Sequence, residues 1–281
     1  MLLTAALIWG TSFFVLKNTL DSVPVCGLLA VRFTVGFALL SVIFWKKWRL
    51  LNRRLMAHGV LCGVLLGSAY IVQTLGLIET TPGKNAFLTA VYCVLTPFVS
   101  WIVFRKSPKA RNWIAAIMCL TGIGFVSLDG DLTVSTGEAL TLLSGLLYAL
   151  HIVAVNHYGK QEDAVLLTIL QFGTTAVMTW SLSFATETWP GMVPAESWFA
   201  LAYLAVFCTT IAMLLQNVGE SLTTASSAAI LLSFESVFGA FFSVIYTGEQ
   251  ITIRLLFGFT MIFAAVLVSE LHSTKKAAIT R

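Results

Sequence analysis

Charge is what this sequence has least of. Only 11% of its 281 residues are Asp, Glu, Lys or Arg, against about 25% in a soluble domain. That is too little to cover a water-facing surface. Pairable cysteine is missing as well. Cys26, Cys62, Cys93, Cys119 and Cys208 each fall inside an apolar run, with no CxxC. This excludes a disulfide framework and a thiolate metal site and leaves them as small buried hydrophobes. No Asn-x-Ser/Thr sequon occurs. His58, His151, His157 and His272 form no HExxH and no metal-ligand spacing, so neither a metal nor a cofactor is expected and a membrane enzyme is disfavoured. A basic stretch ahead of the first apolar run is also lacking, so residues 2–20 read as a span and not as a removed signal.

Hydrophobic residues fill the place of the missing charge: 58% of the chain, with mean hydropathy +0.89. A span needs about 20 apolar residues to cross a hydrocarbon core of about 30 Å. Such runs lie at 2–20, 24–45, 56–78, 82–104, 111–128, 137–158, 164–184, 197–217, 223–246 and 251–270. The links between them are too short to fold separately. The expectation is an all-α membrane protein of ten transmembrane helices in one transmembrane domain, residues 1–281.

Lys and Arg in the links set the orientation. With both termini cytoplasmic, thirteen of the seventeen basic residues lie inside, clustered at 46–54, 105–111, Lys160 and 275–281, whereas Asp21, Glu79, Asp129, Asp131, Glu138, Glu187, Glu196 and Glu249 lie outside. The pI near 8.8 therefore needs no nucleic-acid partner. These cations anchor the chain at the headgroups of the cell (inner) membrane.

The sequence also repeats. At an offset of 143, QTLGLIETTPGKNAFL (73–88) lies over QNVGESLTTASSAAIL (216–231), and Arg111 falls on Arg254. At an offset of 139, LIWGTSFFVLK (7–17) lies over LLYALHIVAVN (146–156), and Arg32-Phe33 over Gln171-Phe172. A duplicated five-helix unit follows, with repeat one at 1–130 and repeat two at 135–272. Five is odd, so the second copy enters the membrane from the opposite side. Such inverted repeats are characteristic of transporters that expose a midplane site alternately to each side.

These stretches carry a family resemblance. ALIWGTSF (6–13), LLAVRF (28–33), TTPGKNAFLTAVYCVLTPFVSWIVF (80–104), TTASSAAILLSFESVFGAFFSVIYTGE (223–249) and ITIRLLFGFTMIFAAVLV (251–268) together resemble the EamA-type ten-helix carriers of the drug/metabolite transporter superfamily. The chain departs from the family at VFRKSP (103–108), which lacks the acid that usually ends the fourth helix, although its counterpart Glu249 is present. The resemblance implies secondary transport of small metabolites, often efflux, by alternating access, and does not name the substrate; the expectation is a carrier of amino acids or related compounds. Protons are one candidate coupling ion.

Polar side chains in the middle of spans are the candidate site. An acid at mid-membrane costs about 2.5–3.5 kcal/mol on insertion scales, so Glu235 stands first, either binding a cationic group or a proton or packing as a neutral acid. Tyr92 is its counterpart at the 143 offset. His151 lies one turn after Tyr148 on the same helix face, and Trp9 is the counterpart of Tyr148. Gln73, Gln216, Asn156 and Gln171 complete the polar set. Arg32 reads as half of a structural ion pair or as a substrate contact. Lys84, after the helix-starting Pro82-Gly83, reads as a cation snorkelling to headgroups, or with Asn85 as a guard of the outer mouth. Gly59, Gly63 and Gly67 form a double GxxxG for close helix approach, within the chain or in a homodimer.

Overall fold

The computed structural model describes residues 1–105, 107–127, 134–190, 192–222, 225–248, 250 and 252–270. Lys106, Asp129, Asp131, Thr223, Thr224, Glu249, His272 and the basic tail lie outside the described residues, so their expected roles are not addressed below.

The described chain is helical throughout. Its helices are α1 (Leu2–Thr19), α2 (Val25–Ile43), α3 (Arg53–Ile78), α4 (Pro82–Thr89), α5 (Tyr92–Phe104), α6 (Ala110–Ser127), α7 (Thr136–Tyr158), α8 (Ala164–Thr186), α9 (Ala195–Tyr203), α10 (Ala212–Ser221), α11 (Ala225–Thr247) and α12 (Ile253–Glu270). A π-helical run, Leu204–Ile211, joins α9 to α10 without a break, and a short 3₁₀ turn, Trp45–Leu50, follows α2. Hydrocarbon offers no partner for a backbone N–H or C=O, so a lipid-embedded chain satisfies them within helices. Six stretches are long and apolar enough to cross a membrane: α2, α3, α4 with α5, α7, α8, and α9 through α10. Residues such as Val42, Ile102, Ile117, Leu120, Phe184 and Phe199 turn their side chains outward, as lipid-facing surfaces do. This is a multi-pass membrane protein.

Local chemistry fixes where the helices start. The side chain of Asn52 accepts from the Leu55 N–H at the start of α3, and that of Thr81 from the Lys84 N–H just ahead of Pro82. Ser135 and Glu138 form a reciprocal capping box on α7, in which each side chain accepts from the other residue's otherwise unpaired backbone N–H.

Two large apolar cores divide the helices, and a small third cluster joins α1, α10 and α11. Of the large cores, one is built by α2, α3, α8 and the α9–α10 run, and the other by α4, α5, α6, α7, α11 and α12; Tyr148 packs against both. Helix α3 lies along both α7 and α8, α1 along α11, α2 along α8, α4 along α11 and α6 along α12. The double GxxxG faces α8. A Cβ on Gly63 would stand 2.6 Å from the Thr174 Cβ and 2.8 Å from the Gln171 carbonyl, and one on Gly59 or Gly67 would meet Leu170 or Met178. Thr175 Oγ1 donates to the Gly63 carbonyl at 2.9 Å across this seam. The glycines therefore serve packing within the chain, and this face is not free for a second copy.

Helices α2 and α8 are also tied at both ends. The Glu187 carboxylate accepts the N–H groups of Cys26 (2.6 Å) and Gly27 (2.9 Å) at the start of α2. At the other end Lys47 pairs with Asp163, which also accepts from Val165 and Leu166 at the start of α8. Burial pushes the Asp163 carboxyl up, but the Lys47 ammonium and the two N–H groups outweigh it and hold the carboxyl below the usual carboxylate range. A lowered folded-state pKa stabilises the fold above the ordinary value. That contribution is lost only as pH falls through the lowered pKa, so this tie persists at neutral pH.

Inserting a side chain into a filled seam costs about 1–3 kcal/mol. Gly63→Leu is therefore expected to lower the thermal unfolding midpoint in detergent, while Val64→Leu, on the exposed face of α3, is expected to leave it unchanged. Equal midpoints would contradict the α3–α8 seam.

Candidate functional site

Between the two large cores lies a cavity with about 580 Å³ of space free of protein atoms, open solvent at its mouth included. Its walls hold Trp9, Gln73, Tyr92, Tyr148, His151, Gln216 and Glu235, seven of the eight residues expected from the sequence. Asn156 is not among them. It lies eight residues beyond Tyr148 on α7, about 12 Å along the axis at 1.5 Å per residue, and accepts from the Lys160 ammonium at 3.2 Å. Gln171 stands behind the wall, with its Oε1 2.7 Å from His151 Nε2.

The lining follows the repeat offsets. Tyr92 and Glu235, Gln73 and Gln216, and Tyr70 and Met213 are each 143 apart; Trp9 and Tyr148, Ser12 and His151, and Phe13 and Ile152 are each 139 apart. Tyr70, Ser12, Phe13, Met213 and Ile152 escaped the reading of polar residues. The offsets contained the signal that would have found them.

Backbone irregularities sit beside the cavity in both halves of the chain. Between α4 and α5, residues 88–94 tighten into i→i+3 bonds, with Val91 N–H to the Leu88 carbonyl at 3.4 Å and Val94 N–H to the Val91 carbonyl at 3.0 Å. Pro97 follows and removes a further helical donor. This break presents Thr89 and Tyr92. The π run lets the Cys208 carbonyl accept from Trp9 Nε1 at 2.8 Å, and places Thr209 against Arg32. Short π segments inside α-helices recur at functional sites.

Hydrogen bonds hold most of the polar wall. Tyr148 donates to Gln73 Oε1 (2.8 Å), and Gln73 Nε2 donates to Thr89 Oγ1 (3.1 Å). Gln216 Nε2 donates to Glu220 Oε1 at 2.8 Å. The rings of Tyr70 and Tyr148 meet edge to face, 5.6 Å apart.

Two ionisable groups of the wall have no ion-pair partner among the described residues. Arg32, 1% exposed, donates from Nε to Thr209 Oγ1 at 2.9 Å and lies 5.5 Å from the Tyr70 ring centroid. No carboxylate lies within ion-pair distance of it among the described residues, which corrects the expectation of a structural ion pair. Glu235, 5% exposed, lines the cavity, and its carboxyl has no hydrogen-bond or ion-pair partner among the described residues. Among the described residues, none supplies the hydrogen bond that a packing acid would take. One cavity thus holds a cation and an acid, each unanswered by the other.

Lys84 corrects another expectation. Its ammonium does not snorkel; it pairs with Glu138 Oε1 at 2.8 Å, where the Glu138 side chain is 4% exposed. Nor is Asn85 a guard of the mouth. It is buried, donating to Thr141 Oγ1 at 2.8 Å. Lys17, left unassigned from the sequence, donates to the carbonyls of Leu77, Ile78 and Thr80 at the end of α3. A cation is favourable there because the helix dipole points its negative end at it.

A bundle of membrane helices enclosing a solute-sized cavity with an aromatic and charged lining is the form of a membrane transporter. The chain belongs to the EamA-like transporter family, whose pattern it matches twice, over residues 1–128 and 135–271. An uncharacterized transporter of Archaeoglobus fulgidus is 31% identical over 95% of this chain and 83% of its own length. Uncharacterized transporter YoaV of Bacillus subtilis is 21% identical over 98% and 97%. Uncharacterized inner membrane transporter YicL of Salmonella typhimurium is 24% identical over 98% and 95%. A solved crystal structure shares the fold with a TM-score of 0.73 at 15% identity, covering 97% of this chain and 96% of its own.

Removing Lys84 would leave the buried Glu138 carboxylate without its cation, a loss of about 2 kcal/mol for a hydrogen bond to a charged group. Lys84→Gln is expected to lower the unfolding midpoint, and Lys84→Gln with Glu138→Gln to regain part of it. A single variant as stable as wild type would restore the snorkelling reading.

Proposed function

We propose that the protein is a secondary carrier that moves zwitterionic small metabolites of the amino-acid type across the cell membrane by alternating access. The observation that carries the reading is a guanidinium and a carboxyl lining one cavity with no ion pair to each other or to any other described residue. A buried charge without a partner is costly, and a ligand bearing both a carboxylate and an ammonium relieves both at once. In this reading Arg32 receives the carboxylate and Glu235 the ammonium. Trp9, Tyr70, Tyr92 and Tyr148 supply flat apolar walls, while Gln73, Gln216 and His151 supply neutral polar contacts.

Ten spans follow if α4 with α5, and α9 through α10, each count once and α1, α6, α11 and α12 also cross. Two inverted halves, 1–130 and 135–272, with both termini cytoplasmic, complete the proposal. Three observations support it: the doubled family match, the lining in offset pairs, and the helix packing. Exchanging each span with its counterpart turns α1 on α11 into α7 on α4–α5, and α3 on α7 into α10 on α1, and all these contacts occur. Export is the direction implied by the family resemblance, driven by the substrate's own gradient or by protons.

The test is transport in liposomes with a metabolite panel. Wild type is expected to exchange neutral amino acids, and Glu235→Gln to raise the half-saturating concentration about 10- to 100-fold, the range for losing a hydrogen bond to a charged group. No exchange of any zwitterion, or the same concentration dependence in both proteins, would overturn the reading.

A further inference from the structure

A second buried carboxyl lies behind the cavity wall. Glu220 is one turn past Gln216 on α10 and is 1% exposed. Its Oε1 accepts from Gln216 Nε2 at 2.8 Å, and its Oε2 has no partner among the described residues. Asn217, three residues earlier and 2% exposed, donates to Thr168 Oγ1 at 2.8 Å and likewise has its own oxygen without a partner. Two buried oxygens without donors, on neighbouring positions of one helix face, form a place for a species that donates without needing much room. A proton on the carboxyl is the smallest such species.

Among the described residues, no cation lies within ion-pair distance to fill that role. Of the elements packed against α10, α8 presents Thr168, α7 presents Tyr148 and His151, α11 presents Glu235, the π run presents neutral hydroxyls, and α1 presents Leu2, with Met1 exposed. No ion pair among the described residues includes Glu220. An ionised Glu220 would be an uncompensated buried charge.

We propose that Glu220 binds the coupling proton, separately from Glu235, which meets the substrate. Gln216 joins the two sites, since its side chain both lines the cavity and holds Glu220. While its amide donates to Glu220, it supports the carboxylate. A ligand carboxylate that draws the amide into the cavity removes that donor and leaves Glu220 to hold a proton instead. Proton and substrate therefore bind together and travel in the same direction. One O–H bond forms on the side where the proton is taken from water and breaks on the side where it returns. Export down the substrate's gradient then carries a proton out, and an inward proton gradient favours accumulation.

This inference rests on the carrier reading, and one experiment separates the two. Proteoliposomes of wild type and Glu220→Gln are assayed with labelled alanine, leucine and phenylalanine, first by counterflow and then under an outside-acid gradient. One pH unit is worth about a tenfold concentration ratio per proton. Wild type is expected to show counterflow and about tenfold accumulation; Glu220→Gln is expected to keep counterflow and lose the accumulation. Absence of wild-type counterflow overturns the carrier reading and this inference with it. Counterflow without acid-driven accumulation, or accumulation that follows sodium, overturns this inference alone, as does a Glu220→Gln protein that still accumulates. If Glu220→Gln loses counterflow, Glu220→Asp decides. A shifted pH dependence of accumulation is expected, and an unshifted one overturns the assignment.

Discussion

Placing charge in hydrocarbon is the constraint on which this structure turns. Each buried ion needs an answering group within a few ångströms, because neither water nor lipid tails supply one. The chain meets this demand at both ends of its helices. Lys17 caps the carbonyls that end α3, Lys84 meets Glu138, Glu187 closes the start of α2, and Lys47 meets Asp163. Against that background the cavity stands out, because there Arg32 and Glu235 line a common space and neither has an ion-pair partner among the described residues.

The proposed duplication accounts for the unlike walls of the one cavity. In the proposed pairing, each half contributes the same positions, but their chemistry has diverged: Tyr92 faces Glu235, Ser12 faces His151, and Trp9 faces Tyr148. A symmetric frame can thus present an asymmetric lining. The acid has a tyrosine as its counterpart, and the arginine at 32 has Gln171. Alternating access needs the frame to be nearly symmetric, whereas recognition of a ligand with distinct ends needs the lining not to be.

Much of this was legible in the sequence, for a physical reason. Apolar runs of membrane length fix helices without help from tertiary structure, and a polar residue inside such a run is informative because it is costly. That is why Glu235, His151, Tyr92 and Gln73 could be named, and why they converge on one cavity. What escaped depends on partners distant in the chain. The cation at Lys84 reads as an interface lysine until Glu138 is brought beside it. Gly59, Gly63 and Gly67 signal close approach but not that α8 is the neighbour. The π run at Leu204–Ile211 and the tightened turn before Tyr92 leave no mark in an all-apolar stretch. Glu220 lies past the span expected at 197–217, and only the packing of α10 against its neighbours buries it.

The central claim is that the cavity is shared by halves that cross the membrane in opposite senses. All five native cysteines are buried, so single cysteines placed at exposed positions report their own side. Arg105→Cys and Gln250→Cys, at equivalent ends of the two proposed halves, can be labelled in intact cells with a membrane-impermeant thiol reagent. The expected result is labelling at 250 and protection at 105 until the membrane is opened. Labelling of both from one and the same side would contradict the inverted halves, and with them the shared site.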